Sequence, residues 1–149
     1  MISTGSITEG GSITGGGSIT VGDVVAEQTF ELSRDTLVRY AGASGDFNSI
    51  HYRDDVAAEV GLPGVLAHGM LTMGIALQPV VDWIGDSAKV LEYGVRFTRP
   101  VVVDPVLGQT LTVVAKVGAV EDGIARVDLT VTVDGETVLG KAQARVAVL

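Results

Sequence analysis

The residue types that could carry out chemistry are concentrated in two short segments of this chain. Asp46, Asn48 and His51 lie within six residues of one another, and His68 and Gly69 follow in the second segment. An aspartate and a histidine can act together as general acid and base, because each holds or releases a proton near neutral pH when its surroundings tune its pKa. The Asn48 amide could orient a water molecule or a substrate hydroxyl group.

The second segment opens a long apolar stretch that predicts a helix beginning near Gly69. Backbone N–H groups in the first turn of a helix have no partner within the helix, and the helix dipole is positive at that end. This position suits an oxygen atom on which negative charge develops during a reaction. Gly69 is therefore a candidate for positioning a substrate carbonyl group.

Each of these residues also has an ordinary structural interpretation. Asp46 and Asn48 could be turn formers. His51 could be a partly exposed histidine at the start of a helix, and His68 could be a core histidine bonded to the backbone. Asp46 and the two histidines could together bind a metal, but the chain has no third histidine and no cysteine, so no metal site is predicted. From the residues alone, an acid–base enzyme is one interpretation among these.

Composition narrows the classes of protein to which this chain can belong. Its 149 residues suit one ordinary domain with a single core. The formal net charge of −8 argues against nucleic acid or an anionic membrane as the main partner, because both favour a basic surface. The absence of cysteine excludes disulfide scaffolds and thiol nucleophiles, and it fits a reducing cytoplasm, which is the predicted location.

The N-terminal segment differs from the remainder of the chain. Residues 5–22 consist of three copies of one hexapeptide, GSITEG, GSITGG and GSITVG. Three turns rich in glycine, serine and threonine cannot bury a core as a solenoid does. We therefore expect residues 1–20 to form a flexible tail without chemistry, and residues 21–149 to form the domain.

Hydrophobic spacing in the first half of the domain predicts helices. A short strand is expected over 29–32, and Ser33 is a suitable N-cap for a helix over 34–42. A second short helix is expected over 53–60. Residues 64–81 contain no Asp, Glu, Lys or Arg, and their length approaches that of a membrane span. The histidine, glutamine, proline and glycines within them favour instead a helix from about Gly69 to Trp83, buried on all sides in a soluble domain.

The second half of the domain changes to alternating apolar and polar residues. Four such stretches end the chain, and Asp122-Gly123 and Asp134-Gly135 are typical hairpin turns between them. Four antiparallel strands after the helices indicate an α+β fold, with a curved sheet covering one buried helix. The small residues Gly140, Ala142 and Ala144 are expected to face that helix and to allow its close approach.

Two motifs give the chain a specific resemblance. The segment YAGASGDFNSIH (40–51), with Ala57 beyond it, resembles the signature of (R)-specific enoyl-CoA hydratases and MaoC-like dehydratases. The segment AHGM (67–70) is similar to the second hallmark of that family. Within the family, GLPGVLAHGMLTMGI and EYGVRFTRPV are most similar to the catalytic B subunit of the actinobacterial (3R)-hydroxyacyl-ACP dehydratase. Ser49 stands where the family usually has proline, a change that loosens the loop without removing a catalytic group.

The resemblance implies a single hotdog fold, an antiparallel sheet wrapped around a long buried helix. It implies reversible syn elimination of water from a (3R)-hydroxyacyl thioester, with Asp46 and His51 as the catalytic pair. Asn48 would help to position the substrate, and the Gly69 N–H would polarise the thioester carbonyl. No metal, prosthetic group or other cofactor is implied. The expected assignment is His51 as base and Asp46 as acid in the dehydration direction.

The resemblance also carries expectations about substrate and partners. The expected substrate is an acyl-ACP in type II fatty-acid elongation of the mycolic-acid type, and the alternative is an acyl-CoA. The chain is expected to form a heterodimer with a paralogous hotdog subunit, or otherwise a homodimer, without membrane insertion. An alternative of another class is a hotdog subunit that binds acyl chains without catalysis, although such a subunit would be expected to lack the Asp46 and His51 pair.

Overall fold

The structure is a computed structural model, and it describes residues 18–149. The tail predicted for residues 1–20 therefore lies outside the described residues, except for 18–20. The chain joins the domain at Gly22, whose N–H donates to the Val117 carbonyl oxygen at 2.8 Å. The Val117 N–H donates in return to the Asp23 carbonyl oxygen at 2.8 Å.

The described residues form three helices and five strands. The helices are α1 (Arg34–Ser44), α2 (Asp54–Glu59) and α3 (Gly69–Ile84), with short 3₁₀ turns at Ser49–His51 and Ser87–Lys89. The strands are β1 (Val24–Leu32), β2 (Val90–Phe97), β3 (Gln109–Glu121), β4 (Ile124–Val133) and β5 (Glu136–Ala147). The predicted helices and strands are confirmed, and β1 is longer than the four residues expected.

The five strands form one antiparallel sheet in the order β1-β3-β4-β5-β2. Both predicted hairpin turns are present, and Asp122, Gly123, Asp134 and Gly135 all have positive φ angles, as a tight two-residue turn requires. Helix α3 contacts all five strands on the inner face of the sheet. The predicted α+β hotdog architecture, a sheet wrapped around one long helix, is thus confirmed.

The inner face of β5 differs from the expected alternation at one point. Ala142 and Ala144 are buried beneath α3, as expected. Lys141 has a φ of 46°, and the pairing with β4 shifts register between Leu129 and Val131. This bulge turns Gly140 away from α3, so that a Cβ atom there would meet the Thr98 side chain at 2.8 Å. The prediction that Gly140 faces the helix is therefore wrong.

Helix α3 is not buried on all sides, contrary to the prediction. Met70, Gly74, Gln78 and Asp82 are exposed, and their spacing of four residues places them in one stripe along the helix. The opposite side, which includes Thr72, Ala76 and Val80, is buried against the sheet. Among the helices of residues 18–149, none combines the length and the apolarity needed to cross a membrane.

Helices α1 and α2 flank the loop that carries the first motif. Ser33 caps α1 through a capping box with Thr36, as the sequence predicts for the N-cap. Arg34 then connects three parts of the chain: its Nε donates to the Val103 carbonyl oxygen at 2.6 Å, and its terminal nitrogens bind the Asp54 carboxylate. These contacts hold the first residue of α2, where the loop between the two helices ends, against the start of α1.

Candidate active site

His51 ends the 3₁₀ turn and is buried, with 8% of its surface exposed. Its Nδ1 lies 2.7 Å from the Leu66 carbonyl oxygen. A carbonyl oxygen only accepts hydrogen bonds, so Nδ1 carries the proton and the neutral ring has its lone pair on Nε2. This geometry excludes the interpretation of His51 as a partly exposed surface histidine, and it leaves Nε2 free to act as a base.

Asp46 faces that free nitrogen. Its Oδ2 lies 4.0 Å from His51 Nε2, and about half of its side chain is exposed. Its Oδ1 accepts a hydrogen bond from the Asn48 N–H at 3.2 Å, which is a turn-forming contact. Asp46 thus has the turn-forming role considered from the sequence, and its catalytic role is still a prediction. One carboxylate oxygen shapes the loop, and the other lies near enough to the histidine for its charge to interact with the ring.

Asn48 caps the 3₁₀ turn that carries His51. Its Oδ1 accepts a hydrogen bond from the Ile50 N–H at 3.3 Å, and its side chain is exposed. The contact that the structure shows for Asn48 is therefore structural. A role in positioning substrate is still a prediction for this residue.

His68 stacks on one face of the His51 ring. The two imidazole rings are stacked with centroids 3.8 Å apart and an interplanar angle of 22°. His68 Nε2 donates to the Asp46 carbonyl oxygen at 3.2 Å, and the Tyr40 ring meets His68 edge-on. Burial lowers the pKa of His68, as does the neighbouring His51 to a smaller degree, while the Asp46 carbonyl raises it. The net shift favours a neutral ring.

Gly69 begins α3, as predicted, and its N–H belongs to the first turn of the helix, where no acceptor exists within the helix. A Cβ atom at this position would lie only 3.0 Å from Cε1 of Phe97. Glycine therefore allows the β2 side chain to pack against the start of α3. Nothing in the residue spacing of the sequence indicated this contact with Phe97.

A cavity of about 330 Å³ lies beside this site, and Asp46, Asn48 and His68 are not among the residues that line it. His51 and Gly69 both line it, together with Phe97 and mostly apolar neighbours. An apolar cavity with a few convergent polar groups is typical of a small-molecule site. The other lining residues are Leu66, Ala67, Thr72, Thr98, Arg99, Pro100, Val101, Val138 and Leu139.

The geometry of the three titratable residues does not favour metal binding. One potential ligand atom from each of Asp46, His51 and His68 lies within 4.8 Å of the others. The two rings, however, are stacked 3.8 Å apart in nearly parallel planes, and lone pairs that lie in two such planes are poorly placed to converge on one ion. His68 Nε2 is also engaged as a donor to a carbonyl oxygen. These residues do not fit the convergent geometry that a metal ion requires.

Comparison with known protein families gives one match that spans most of the described chain. The profile of the MaoC like domain matches residues 18–138. A solved structure described as a MaoC-like dehydratase superposes with a TM-score of 0.85 and 34% sequence identity, covering 88% of this chain and 41% of that one.

Two curated relatives come from Mycobacterium tuberculosis. The 3-hydroxyacyl-thioester dehydratase X is 37% identical over 70 residues, which is 47% of this chain and 24% of the relative. The 3-oxo-4,17-pregnadiene-20-carboxyl-CoA hydratase beta subunit is 30% identical over 120 residues, covering 80% of this chain and 87% of that subunit. The chain therefore spans about a quarter of the first relative and most of the second.

Proposed function

Because this chain belongs to the MaoC-like dehydratase family, we propose that it catalyses reversible hydration of trans-2-enoyl thioesters to (3R)-3-hydroxyacyl thioesters. This makes it a hydro-lyase. The observation that carries the proposal is the placement of His51 and Gly69 on one cavity, with the Asp46 carboxylate 4.0 Å from His51 Nε2. A base, an acid and a carbonyl-binding N–H are the groups that this elimination requires.

In the dehydration direction, the thioester carbonyl oxygen accepts a hydrogen bond from the Gly69 N–H. His51 Nε2 removes the proton from Cα, and the electron pair moves toward the carbonyl to give an enolate-like state that the helix N-terminus stabilises. The Cα–Cβ double bond then forms as the Cβ–O bond breaks, and Asp46 gives its proton to the departing hydroxyl group. The products are the enoyl thioester and one water molecule.

Hydration reverses each step on the same two residues. The pair holds one exchangeable proton in total, which starts on Asp46 for dehydration and on His51 for hydration. The Asp46 carboxylate takes a proton from water as its oxygen attacks Cβ, and His51 protonates Cα. Apparent pKa values from a pH–rate profile will therefore belong to the pair rather than to either residue.

The activity is tested by following the loss of enoyl absorbance when the purified protein is mixed with a crotonyl thioester. We expect hydration by the wild-type protein and its loss on replacement of His51 or Asp46. If the chain is inert both alone and with a co-purified hotdog partner, the proposed function is wrong.

For the carrier of the acyl group, we propose acyl carrier protein, in type II fatty-acid elongation of the mycolic-acid type. The support is the similarity of residues 61–75 and 92–101 to the B subunit of the actinobacterial dehydratase. A second candidate carrier is coenzyme A, which is favoured by the relative named as a CoA hydratase beta subunit. Comparing kcat/KM for crotonyl-ACP and crotonyl-CoA under the same conditions distinguishes the two carriers.

We further propose that the functional unit is a heterodimer with a paralogous hotdog subunit. One relative that covers most of this chain is named as a beta subunit, which implies that it works with another subunit. Strand β2 forms one edge of the sheet and exposes Leu91 and Phe97, each more than half exposed. A partner strand pairing with this edge would cover both side chains.

A further inference from the structure

His68 lies in the centre of the site, although the proposed mechanism assigns it no chemical step. It is 1% exposed, so it has almost no surface that a substrate could contact. Its ring nevertheless contacts both members of the catalytic pair. One face stacks on His51 at 3.8 Å, and Nε2–H donates to the main-chain carbonyl oxygen of Asp46 at 3.2 Å.

The other ring nitrogen makes this arrangement costly for folding. His68 Nδ1 is fully buried and has no hydrogen-bond partner among residues 18–149. A buried polar atom without a partner destabilises a fold, because its lost hydration is not replaced by a hydrogen bond. A phenylalanine or leucine would fill the same space without that cost. Stability alone therefore does not account for an imidazole at this position.

We propose that His68 is a positioning residue that holds the acid and the base of this site in a fixed relative orientation. Its Nε2–H fixes the Asp46 peptide group, and its ring face fixes the plane of the His51 ring. Together with the Leu66 carbonyl, which holds His51 Nδ1, this directs His51 Nε2 toward the Asp46 carboxylate. The inference rests on the proposed hydratase function, since it concerns the same catalytic pair.

Two variants separate the two contacts of His68. His68→Phe keeps an aromatic ring against His51 and Tyr40 but removes the donor to Asp46. His68→Gln keeps an amide N–H near the position of Nε2 but removes the ring. Because a misplacement of about 1 Å in a catalytic group costs up to about a hundredfold in rate, we expect His68→Phe to lower kcat by about tenfold or more. We expect KM to change by less than about threefold, because the buried His68 side chain does not contact substrate.

Rescue distinguishes positioning from a general loss of stability. We expect His68→Gln to recover most of the kcat that His68→Phe loses, because the donor to Asp46 is restored. Tyr93→Phe is the matched control, since the Tyr93 hydroxyl donates to the Met73 carbonyl oxygen at 2.8 Å, a comparable side-chain-to-backbone bond outside the cavity. The control should lower the melting temperature and leave kcat unchanged. Wild-type kcat in folded His68→Phe would overturn the inference.

A spectroscopic measurement on the wild-type protein does not depend on whether the variants fold. The chain contains only two histidines, so their ring nitrogens can be assigned in a long-range ¹H–¹⁵N spectrum. The inferred contacts require opposite neutral tautomers, with the proton on Nδ1 of His51 and on Nε2 of His68. The same tautomer in both histidines would overturn the inference.

The two proposals fail in distinguishable ways. Absence of hydratase activity in the wild-type protein contradicts the proposed function, whatever the tautomers are. A wild-type protein that is active, combined with a His68→Phe variant that is equally active, contradicts only the positioning role.

Discussion

The hydrogen bond between His51 and the Leu66 carbonyl determines which histidine nitrogen can act as the base. It holds the Nδ1 proton and leaves Nε2 for substrate. The sequence motif identified His51 but not this acceptor, because a main-chain carbonyl has no signature in residue types. The bond depends on the segment before α3, where Leu66 forms an isolated bridge with Val102 and its N–H donates to the Ile50 carbonyl oxygen.

Replacement of the catalytic pair tests the assignment at the residue scale. We expect His51→Asn to lower kcat by about 10²-fold or more, because the variant has no base at the position of Nε2. The asparagine amide can still donate to Leu66, so it preserves folding better than His51→Ala, which removes a buried hydrogen bond. Asp46→Asn should lower kcat similarly, while its amide oxygen can still accept from Asn48. Steady-state rates on a crotonyl thioester check both variants, and near wild-type rates in either folded variant would contradict the assignment.

The burial of His68 predicts a pH dependence of stability. Its pKa is lowered in the folded protein, mainly by burial, whereas an unfolded histidine has a pKa of about 6.5. The unfolded chain therefore binds more protons, and the free energy of unfolding falls as the pH drops below about 6.5 toward the folded pKa. Urea unfolding of the wild-type protein should show this loss between about pH 7 and about pH 5.5. In His68→Phe the loss of unfolding free energy over the same pH range should be smaller. An equal pH dependence of the unfolding free energy in the variant and the wild-type protein would contradict this prediction.

At the scale of elements, the site is formed where the start of α3 meets the end of β2. Gly69 lines the cavity as the first residue of α3, and Phe97 packs against the glycine from the edge strand. Gly69 was predicted from its place at the head of an apolar helix. Phe97 was not predicted as part of the site, because alternation along β2 does not show which residue of the strand contacts which turn of the helix.

Substitution of Gly69 should impair catalysis more than folding. A Cβ atom at this position would be 3.0 Å from the Phe97 ring, which is a partly exposed side chain that can turn aside. We expect Gly69→Ala to reduce kcat/KM and Gly69→Val nearly to abolish it, because the added carbons block access of the thioester carbonyl to the N–H. Thermal unfolding should show the smaller effect. Full activity of Gly69→Val would place the carbonyl-binding donor elsewhere.

Helices, strands and turns were predicted well where the signal lies within one short segment of the sequence. The Ser33 cap, the Asp-Gly turns and the alternating strands were all confirmed. The two predictions that were wrong concern features set by contacts between segments. The bulge at Lys141 depends on register with neighbouring strands, and the exposed side of α3 depends on how far the sheet wraps around it. Neither property is encoded in hydrophobic spacing along one segment.

At the scale of the whole molecule, the described chain leaves apolar surface uncovered beside the site. Met70 on α3 and Leu91 and Phe97 on β2 are each more than half exposed. Both β1 and β2 are edge strands with one paired neighbour. Proteins usually cover such an edge, and pairing through β2 would place a second hotdog next to the cavity lined by Phe97.

We therefore expect this protein not to be a monomer in solution. Light scattering on the purified chain should give a mass of at least twice 15.4 kDa. Co-expression with a paralogous hotdog subunit should give a stable complex with higher activity than the chain alone. An active species of monomer mass would contradict the expectation of assembly. Equal solubility and activity of the chain alone would contradict the heterodimer and favour the homodimer.

The most direct test of the proposed chemistry is the configuration of the hydration product. A crotonyl thioester is incubated in deuterated water with the purified protein, alone and with its co-purified partner, and the product is analysed for chirality at Cα and Cβ. We predict the (3R)-3-hydroxybutanoyl thioester, with hydroxyl and deuterium added to the same face, and its loss in His51→Asn. A (3S) product, addition to opposite faces, or no hydration in either sample would contradict the account.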